Sequence, residues 1–322
     1  MKKKILTLVK NKKLNFGNPK DIFLLGLRSN LASKNKYKRY LGSPLRYAGG
    51  KSLAVGYVIQ LIPENVKRVI APFIGGGSVE IAIAKELGVE VIGYDIFDIL
   101  VNYWQAQIES PEDLYNELKK LKPDRKNYKR VKEVLKKHWK KEIKLEKNKL
   151  AAYYYFNHNL SYGPGFLGWP SSVYLNEKRY STMLEKVRNF RVGKLKVFQG
   201  DFAEVIPKYK NDFMYLDPPY FLEGDSKMFR GIYPQRNFPI HHNGFDHEKL
   251  FRLLKEHKGG FILSYNDCKQ IREWYKDYEI YKPSWQYTMG QGEIRIGLNR
   301  ITNGSNHVKE SHELLIYKPP QK

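Results

Sequence analysis

A chain of 322 residues with 42% hydrophobic and 14% aromatic content is long enough to bury a full core and too apolar to be a disordered polymer. One folded domain with an insertion or a small second domain is expected. The single cysteine, Cys268, excludes an intramolecular disulfide and a CxxC metal pair. The formal charge of +24 is concentrated: residues 1–43 hold 12 Lys/Arg and one acid, and residues 119–149 hold 15 and four, leaving only +2 for the rest. Charge gathered in two patches points to a polyanionic partner, most simply nucleic acid, although a solvated lysine-rich face would look the same.

The chain begins "MKKKILTLVKNKK", like a signal peptide, but its apolar segment is five residues long and lysines follow at once. No apolar run approaches membrane-spanning length, so no membrane association and a cytoplasmic location are expected. Residues 1–43 read as a basic, loosely structured extension whose apolar "DIFLLGL" segment could pack on a core. Next, "PLRYAGGKS" (44–52) invites comparison with a phosphate loop, but Leu45 stands where that motif needs its first glycine. What is left is a flexible Gly49-Gly50 turn and one ammonium, Lys51, suited to a carboxylate; a plain surface turn explains these residues equally well.

From Val66 the pattern becomes strand, glycine loop, helix, strand: "VKRVIAPF", then Gly75-Gly76-Gly77, "SVEIAIAKEL" and "VEVIGYD". Such alternation predicts an α/β fold with a parallel, Rossmann-like sheet. The loop's glycines permit close approach of backbone to a ligand beside a helix N-terminus. It is not the dinucleotide fingerprint, because Glu80 replaces the third glycine, and a tight βα turn would use glycine too. Asp95 closes the second strand, where an acid can accept ribose hydroxyls. Across 104–194 strand signals nearly vanish. Tyr128, Val131, Leu135 and Trp139 recur at helical spacing inside the lysine-rich stretch and predict an amphipathic helix. "NHNLSYGPGFLGWPSS" follows as a glycine- and proline-rich loop with aromatics. Further strands are predicted at "KLKVFQGD", ending on Asp201, and at "DFMYLDPP", "GGFILSYND" and "ELLIYK".

The turn after "FMYL" is the most informative local feature. Proline lacks a backbone donor and fixes its own φ, so Asp217-Pro218-Pro219-Tyr220 must leave the strand as a stiff extended turn. It presents a carboxylate, free carbonyls and an aromatic ring in one arrangement. Nucleophilic chemistry has little support: Cys268 has no PC context and no GxSxG elbow occurs. His241, His242 and His247 lie near acids without recognisable metal spacing, and no metal is expected.

In their order, PLRYAGGK, APFIGGGS, the Asp of IGYD, GDF and DPPY resemble the Dam-like class of DNA adenine-N6 methyltransferases. The resemblance runs from about Pro44 to Pro319 and includes the weaker "SYNDC" and "ELLIYKP" segments. It implies a Rossmann-like methyltransferase sheet at 44–103 and 195–322, with a helical target-recognition insertion at 104–194. It implies S-adenosyl-L-methionine as methyl donor and a flipped adenine in double-stranded DNA as acceptor. By resemblance, Tyr47 and Lys51 lie near the methionine part of the donor, Phe73, Gly75 and Gly77 line it, Asp95 holds its ribose and Asp201 its adenine. Asp217, also counted at the donor, is catalytic with Pro218 and Tyr220. Tyr47 stands where relatives often carry tryptophan, and the leader has no counterpart in the compact members. The class further implies the modification arm of a type II restriction-modification system, with a short four-base palindromic site of CATG or GATC type. A companion endonuclease would act without stable binding. Cytosine-N4 or RNA adenine methylation, or nucleic-acid binding without catalysis, are the alternatives; relatives of the first two kinds more often carry Ser or Asn where Asp217 stands.

The chemistry suits the turn. Adenine's N6 lone pair is delocalised into the ring, so the amine is a poor nucleophile. Asp217 and the Pro218 carbonyl can accept its two N–H groups and draw the nitrogen toward sp3, while Tyr220 replaces the stacking an extruded base has lost.

Overall fold

The computed structural model describes residues 17–28, 36–221, 245–283 and 313–321. Seven strands form one sheet among these residues: β1 (Arg68–Ala71), β2 (Glu90–Asp95), β3 (Leu195–Gln199), β4 (Phe213–Leu216), β5 (Phe261–Asn266), β6 (Glu279–Tyr281) and β7 (Glu313–Lys318). Their order is β3-β2-β1-β4-β5-β7-β6. Every pairing is parallel except those of β7, which is antiparallel to both neighbours. The predicted Rossmann-like sheet is therefore present. Strand β6 is an addition to the expected set, since three residues with one exposed acid carry no strand signal.

The strands are apolar almost without interruption because helices cover both faces. Val69, Val91, Val197, Tyr215, Ile262 and Leu315 point to one side, among residues of α1 (Pro19–Leu27), α2 (Val55–Leu61), α3 (Ser78–Glu86) and α4 (Asp98–Glu109). The alternate positions Ile70, Ile92, Met214, Leu216, Leu263 and Ile316 point to the other, under α9 (Phe202–Lys208), α10 (His247–Glu256) and α11 (Lys269–Trp274). The period-2 alternation of side chains thus builds two cores from one sheet.

Between β2 and β3 lie α4, α5 (Pro111–Lys119), α6 (Arg125–Trp139), α7 (Lys147–Asn159) and α8 (Glu177–Arg188). Helix α6 has the predicted stripe: Tyr128, Val131 and Leu135 are buried, and Arg125, Lys126, Lys129, Lys136 and Lys137 are exposed. Asp124 caps it by accepting from the Asn127 amide at 2.7 Å. Beyond its first turn, helix α7 exposes no face. Residues 150–159 are all buried, and this helix packs against α4, α5 and α6.

Residues 19–27 and 36–43 differ from the loose extension expected of the leader. Asn18 caps α1, Pro19 occupies its first turn, and Leu24 and Leu27 enter the core with Tyr37 and Tyr40. The Lys20 ammonium donates to the carbonyls of Gln60 and Ile62 at the end of α2, and Tyr40 donates to Glu86 at 2.9 Å. The apolar "DIFLLGL" segment thus packs on the core as a short helix within an otherwise basic leader.

Candidate active site

A cavity of about 400 Å³ opens at the carboxyl ends of β1 to β4. The chain runs outward from β1 through β2 to β3, then returns to place β4 on β1's other side. That reversal is a topological switch point, where loops diverge and leave a crevice. Tyr47, Lys51, Phe73, Gly75, Gly77, Asp95, Asp201, Asp217, Pro218 and Tyr220 all line this cavity, together with Glu80, Tyr215, Phe245, Asp246 and Lys249. The ten site positions expected from the sequence are thus brought into one place.

The glycine loop is shaped by the protein itself. Gly75 and Gly77 have φ of 45° and 66°, in the left-handed region. A Cβ on Gly76 would lie 2.5 Å from Cβ of Tyr47, and one on Gly77 would lie 2.9 Å from the Trp104 ring. Trp104 Nε1 also donates to the Gly75 carbonyl at 2.9 Å. Tyr47 is stacked on His158, with ring centres 5.5 Å apart and planes 21° apart. Neither ring nitrogen of His158 has a well-formed hydrogen bond among the described residues, and burial pushes its pKa down to about 3, so it packs as a neutral ring.

The acids at the strand ends are held by backbone. Asp95 accepts from the amides of Gly75 at 3.2 Å and Phe97 at 3.0 Å, one on each oxygen. A carboxylate offers about four lone-pair sites, which leaves capacity to receive hydroxyls. Burial pushes its pKa up to about 6 against the pull of those amides. Asp201 caps α9 by accepting from the Ala203 amide at 2.7 Å.

Asp217 has a partner that the sequence does not announce. The Lys51 ammonium lies 2.7 Å and 2.9 Å from its two oxygens, and 3.2 Å from Oε1 of Glu313 on β7. Lys51 also donates to the Gly49 carbonyl at 3.1 Å and lies 5.0 Å from the centre of the Tyr220 ring. Thus the ammonium suited to a carboxylate meets the chain's own. Glu80, in the first turn of α3, is buried within the field of Lys51 and Asp217. Three carboxyl groups and one ammonium cannot all be charged away from water. Burial pushes Glu80 and Glu313 up to about 8 each, with the Asp217 charge adding to the effect. Burial pushes Asp217 up as well, with the Lys51 ammonium beside it pulling the other way. In the sequence Glu80 only breaks a glycine fingerprint and Glu313 only starts a strand; neither carries a spacing that could mark it.

His247 hydrogen-bonds through Nδ1 with the Tyr265 hydroxyl, while His241 and His242 lie outside the described residues. Among the described residues no three His, Cys, Asp or Glu side chains are grouped to hold a metal ion, and no helix is long and apolar enough to cross a membrane.

Known proteins share this sequence pattern over most of the chain. The family model described as D12 class N6 adenine-specific DNA methyltransferase matches residues 47–289. The chain belongs to that family. It is 24% identical to the type II methyltransferase M1.LlaDCHI of Lactococcus lactis subsp. cremoris over 274 residues, 79% of this chain and 90% of that protein. It is 25% identical to the type II methyltransferase M.MjaIII of Methanocaldococcus jannaschii over 199 residues, 55% of this chain and 68% of that protein. The protein is thus an adenine-specific DNA methyltransferase. The family's methyl donor is S-adenosylmethionine, and the cavity fits it. The volume lies within the usual range for ligand sites, and Asp95 retains acceptor capacity for a ribose.

Proposed function

We propose that this methyltransferase acts on an adenine extruded from double-stranded DNA, with Asp217, the Pro218 carbonyl and Tyr220 at the target base. The observation that carries this reading is the placement of Asp217. It stands at the carboxyl end of β4, clamped by Lys51, in the same cavity as the glycine loop and Asp95. S-adenosylmethionine supplies an electrophilic methyl group when bound. Everything else falls to the chain. Tyr47, Lys51, Phe73, Gly75 and Gly77 line the donor side, Asp95 accepts from its ribose, and Asp201 takes its adenine. Asp217 and the Pro218 carbonyl would accept hydrogen bonds from the two N6–H groups and free the lone pair for in-line attack, the methyl–sulfur bond breaking as the N–C bond forms and the methylated nitrogen then releasing one proton. Fixed dipoles and orientation supply most of the rate. Tyr220, buried at the cavity wall, offers its ring to the extruded base.

Residues 104–194 serve as the target-recognition region, and the exposed cations of α6 contact phosphates, which position a protein on DNA without reading it. The names of the two relatives support a type II restriction-modification role, with a companion endonuclease that need not bind this chain. A short palindromic site of CATG or GATC type fits that role. The test is to express the chain in a host lacking adenine methylation and sequence its DNA with modified-base detection. N6-methyladenine at one short palindrome is expected. Methylation of cytosine N4, or none with an intact protein, would overturn the reading.

A further inference from the structure

The turn at 217–221 poses a mechanical problem. Pro218 and Pro219 have no N–H to donate, so backbone ladder bonds cannot hold them. Side chains hold the two ends instead. Lys51 grips Asp217 at 2.7 Å and 2.9 Å, and Nδ2 of Asn266 donates to the Phe221 carbonyl at 2.7 Å. Both grips come from one place. Glu313, which holds Lys51 at 3.2 Å, is the direct cross-strand partner of Asn266 in the antiparallel pair β5·β7.

The two residues are costly where they stand. Of the other residues of the two strands, Phe261, Ile262, Leu263, Leu314, Leu315 and Ile316 are apolar and fully buried, with Ser264 a buried polar exception. Glu313 is 2% exposed and Asn266 8% exposed, with no partner for Asn266 Oδ1 among the described residues. Apolar side chains at these positions would stabilise the sheet more. Departures of this kind, with no local gain, gather at functional sites.

We propose that Glu313 and Asn266 are positioning residues for methyl transfer: Glu313 acts on Asp217 by sharing Lys51, and Asn266 acts on the same turn through the Phe221 carbonyl. The inference rests on the reading of Asp217 as the N6 acceptor. Its electrostatic consequence has a definite sign. When Glu313 is protonated, the Lys51 charge is given to Asp217 alone and engages the lone pairs that should face N6. When Glu313 ionises, it draws on Lys51 and leaves Asp217 the stronger acceptor. The groups facing this exchange are Lys51 from the turn before α2, Asp217 after β4, Glu80 from α3 and the Tyr215 hydroxyl on β4, which lies in the field of Lys51 and all three acids. With Glu313 raised to about 8, turnover should climb between about pH 7 and pH 9.

The test uses the full chain, S-adenosylmethionine and unmethylated plasmid DNA. It measures single-turnover methyl transfer from pH 6.5 to 9.5, donor affinity by calorimetry and thermal stability. Glu313→Gln is isosteric with the protonated acid and should keep the fold. It should trail the wild type by about tenfold at pH 9, with the gap narrowing toward pH 6.5 and donor affinity within twofold. In a Lys51→Met background it should cause no further loss. Asn266→Ala should slow transfer about tenfold at every pH with donor affinity unchanged. A Glu313→Gln enzyme that follows the wild-type profile, or that loses as much in the Lys51→Met background as alone, overturns the proposal. An Asp217→Ala control separates the layers. If that variant keeps turnover within tenfold, the acceptor reading fails and this inference with it; if it is inactive while Glu313→Gln is normal, only the inference fails.

Discussion

At the carboxyl edge of the sheet, Lys51, Glu80, Asp217 and Glu313 share one water-poor pocket, and each ionisation state depends on the others. On α6, Arg125, Lys126, Lys129, Lys136 and Lys137 are exposed to solvent along one side of the helix. The same kind of group thus works in two regimes. In the pocket, low dielectric makes a charge strong, directional and costly to orphan. On the helix, solvent and salt weaken each charge, so only the sum over many matters. Single substitutions should therefore be decisive in the first region and nearly silent in the second.

The largest effect should come from Asp217→Ala. Removing the proposed N6 acceptor should lower single-turnover methyl transfer on the order of 10³-fold, within the range for losing a preorganised hydrogen-bonding group at the reacting centre. Donor binding and folding should largely survive, because Glu313 and Glu80 can ionise to balance Lys51. Turnover within tenfold of wild type would remove Asp217 from the mechanism.

Next is Asp95→Ala. Hydrogen bonds from hydroxyls to an ionised acid contribute roughly 1.5–3 kcal/mol, so donor affinity should fall at least about tenfold by calorimetry. The ionised form is the better acceptor and its pKa is raised to about 6. Wild-type donor affinity should therefore weaken as pH drops through 6, a slope that the Ala variant lacks. An unchanged dissociation constant would put the ribose elsewhere.

Glu80→Gln should act on stability. Glu80 titrates near 8 in the folded chain, above its ordinary value of 4.5. Folding must then bind a proton between those values, so the group costs nothing below about pH 4.5 and most above about pH 8. The Gln variant should melt with the wild type at pH 4.5 and about 4 °C or more above it at pH 8. Equal melting temperatures at both pH values would show that Glu80 is ionised and fully compensated.

The smallest effect per residue is expected on α6. Replacing Lys126, Lys129, Lys136 and Lys137 together by serine should weaken binding to cognate and scrambled duplexes alike. It should flatten the dependence of log affinity on log salt by about 0.9 for each phosphate that is no longer neutralised. Any one of these changes alone should be barely measurable. An unchanged slope would mark α6 as a solvated face. A changed target preference with the slope intact would mean that α6 reads bases, and the contrast between the two regions would narrow.

Much of the site is legible in the sequence because it is local. A proline pair after "FMYL", three glycines between a strand and a helix, and an acid closing "VIGYD" each dictate backbone geometry within a few residues. All emerge at the same edge because parallel strands share one direction. The amphipathic stripe of α6 is legible for a similar reason, since Tyr128, Val131 and Leu135 follow the helical period. The docking of α1 is legible only in part: "DIFLLGL" is apolar enough to pack, but which surface it meets is decided when α2 and α3 are beside it.

By itself, then, the sequence determined all strands but β6, ten of the positions on the cavity wall and the chemistry that a stiff Asp-Pro-Pro-Tyr turn can support. Tertiary structure alone decided what that turn would be held by. Lys51 precedes α2, Glu80 opens α3 and Glu313 begins β7, and no local pattern relates them. They meet because β7 enters the sheet antiparallel beside β5, which turns the first residue of the chain's last described strand back toward the carboxyl edge. Burial then does what no isolated sequence could encode, making the charge of each group depend on its neighbours.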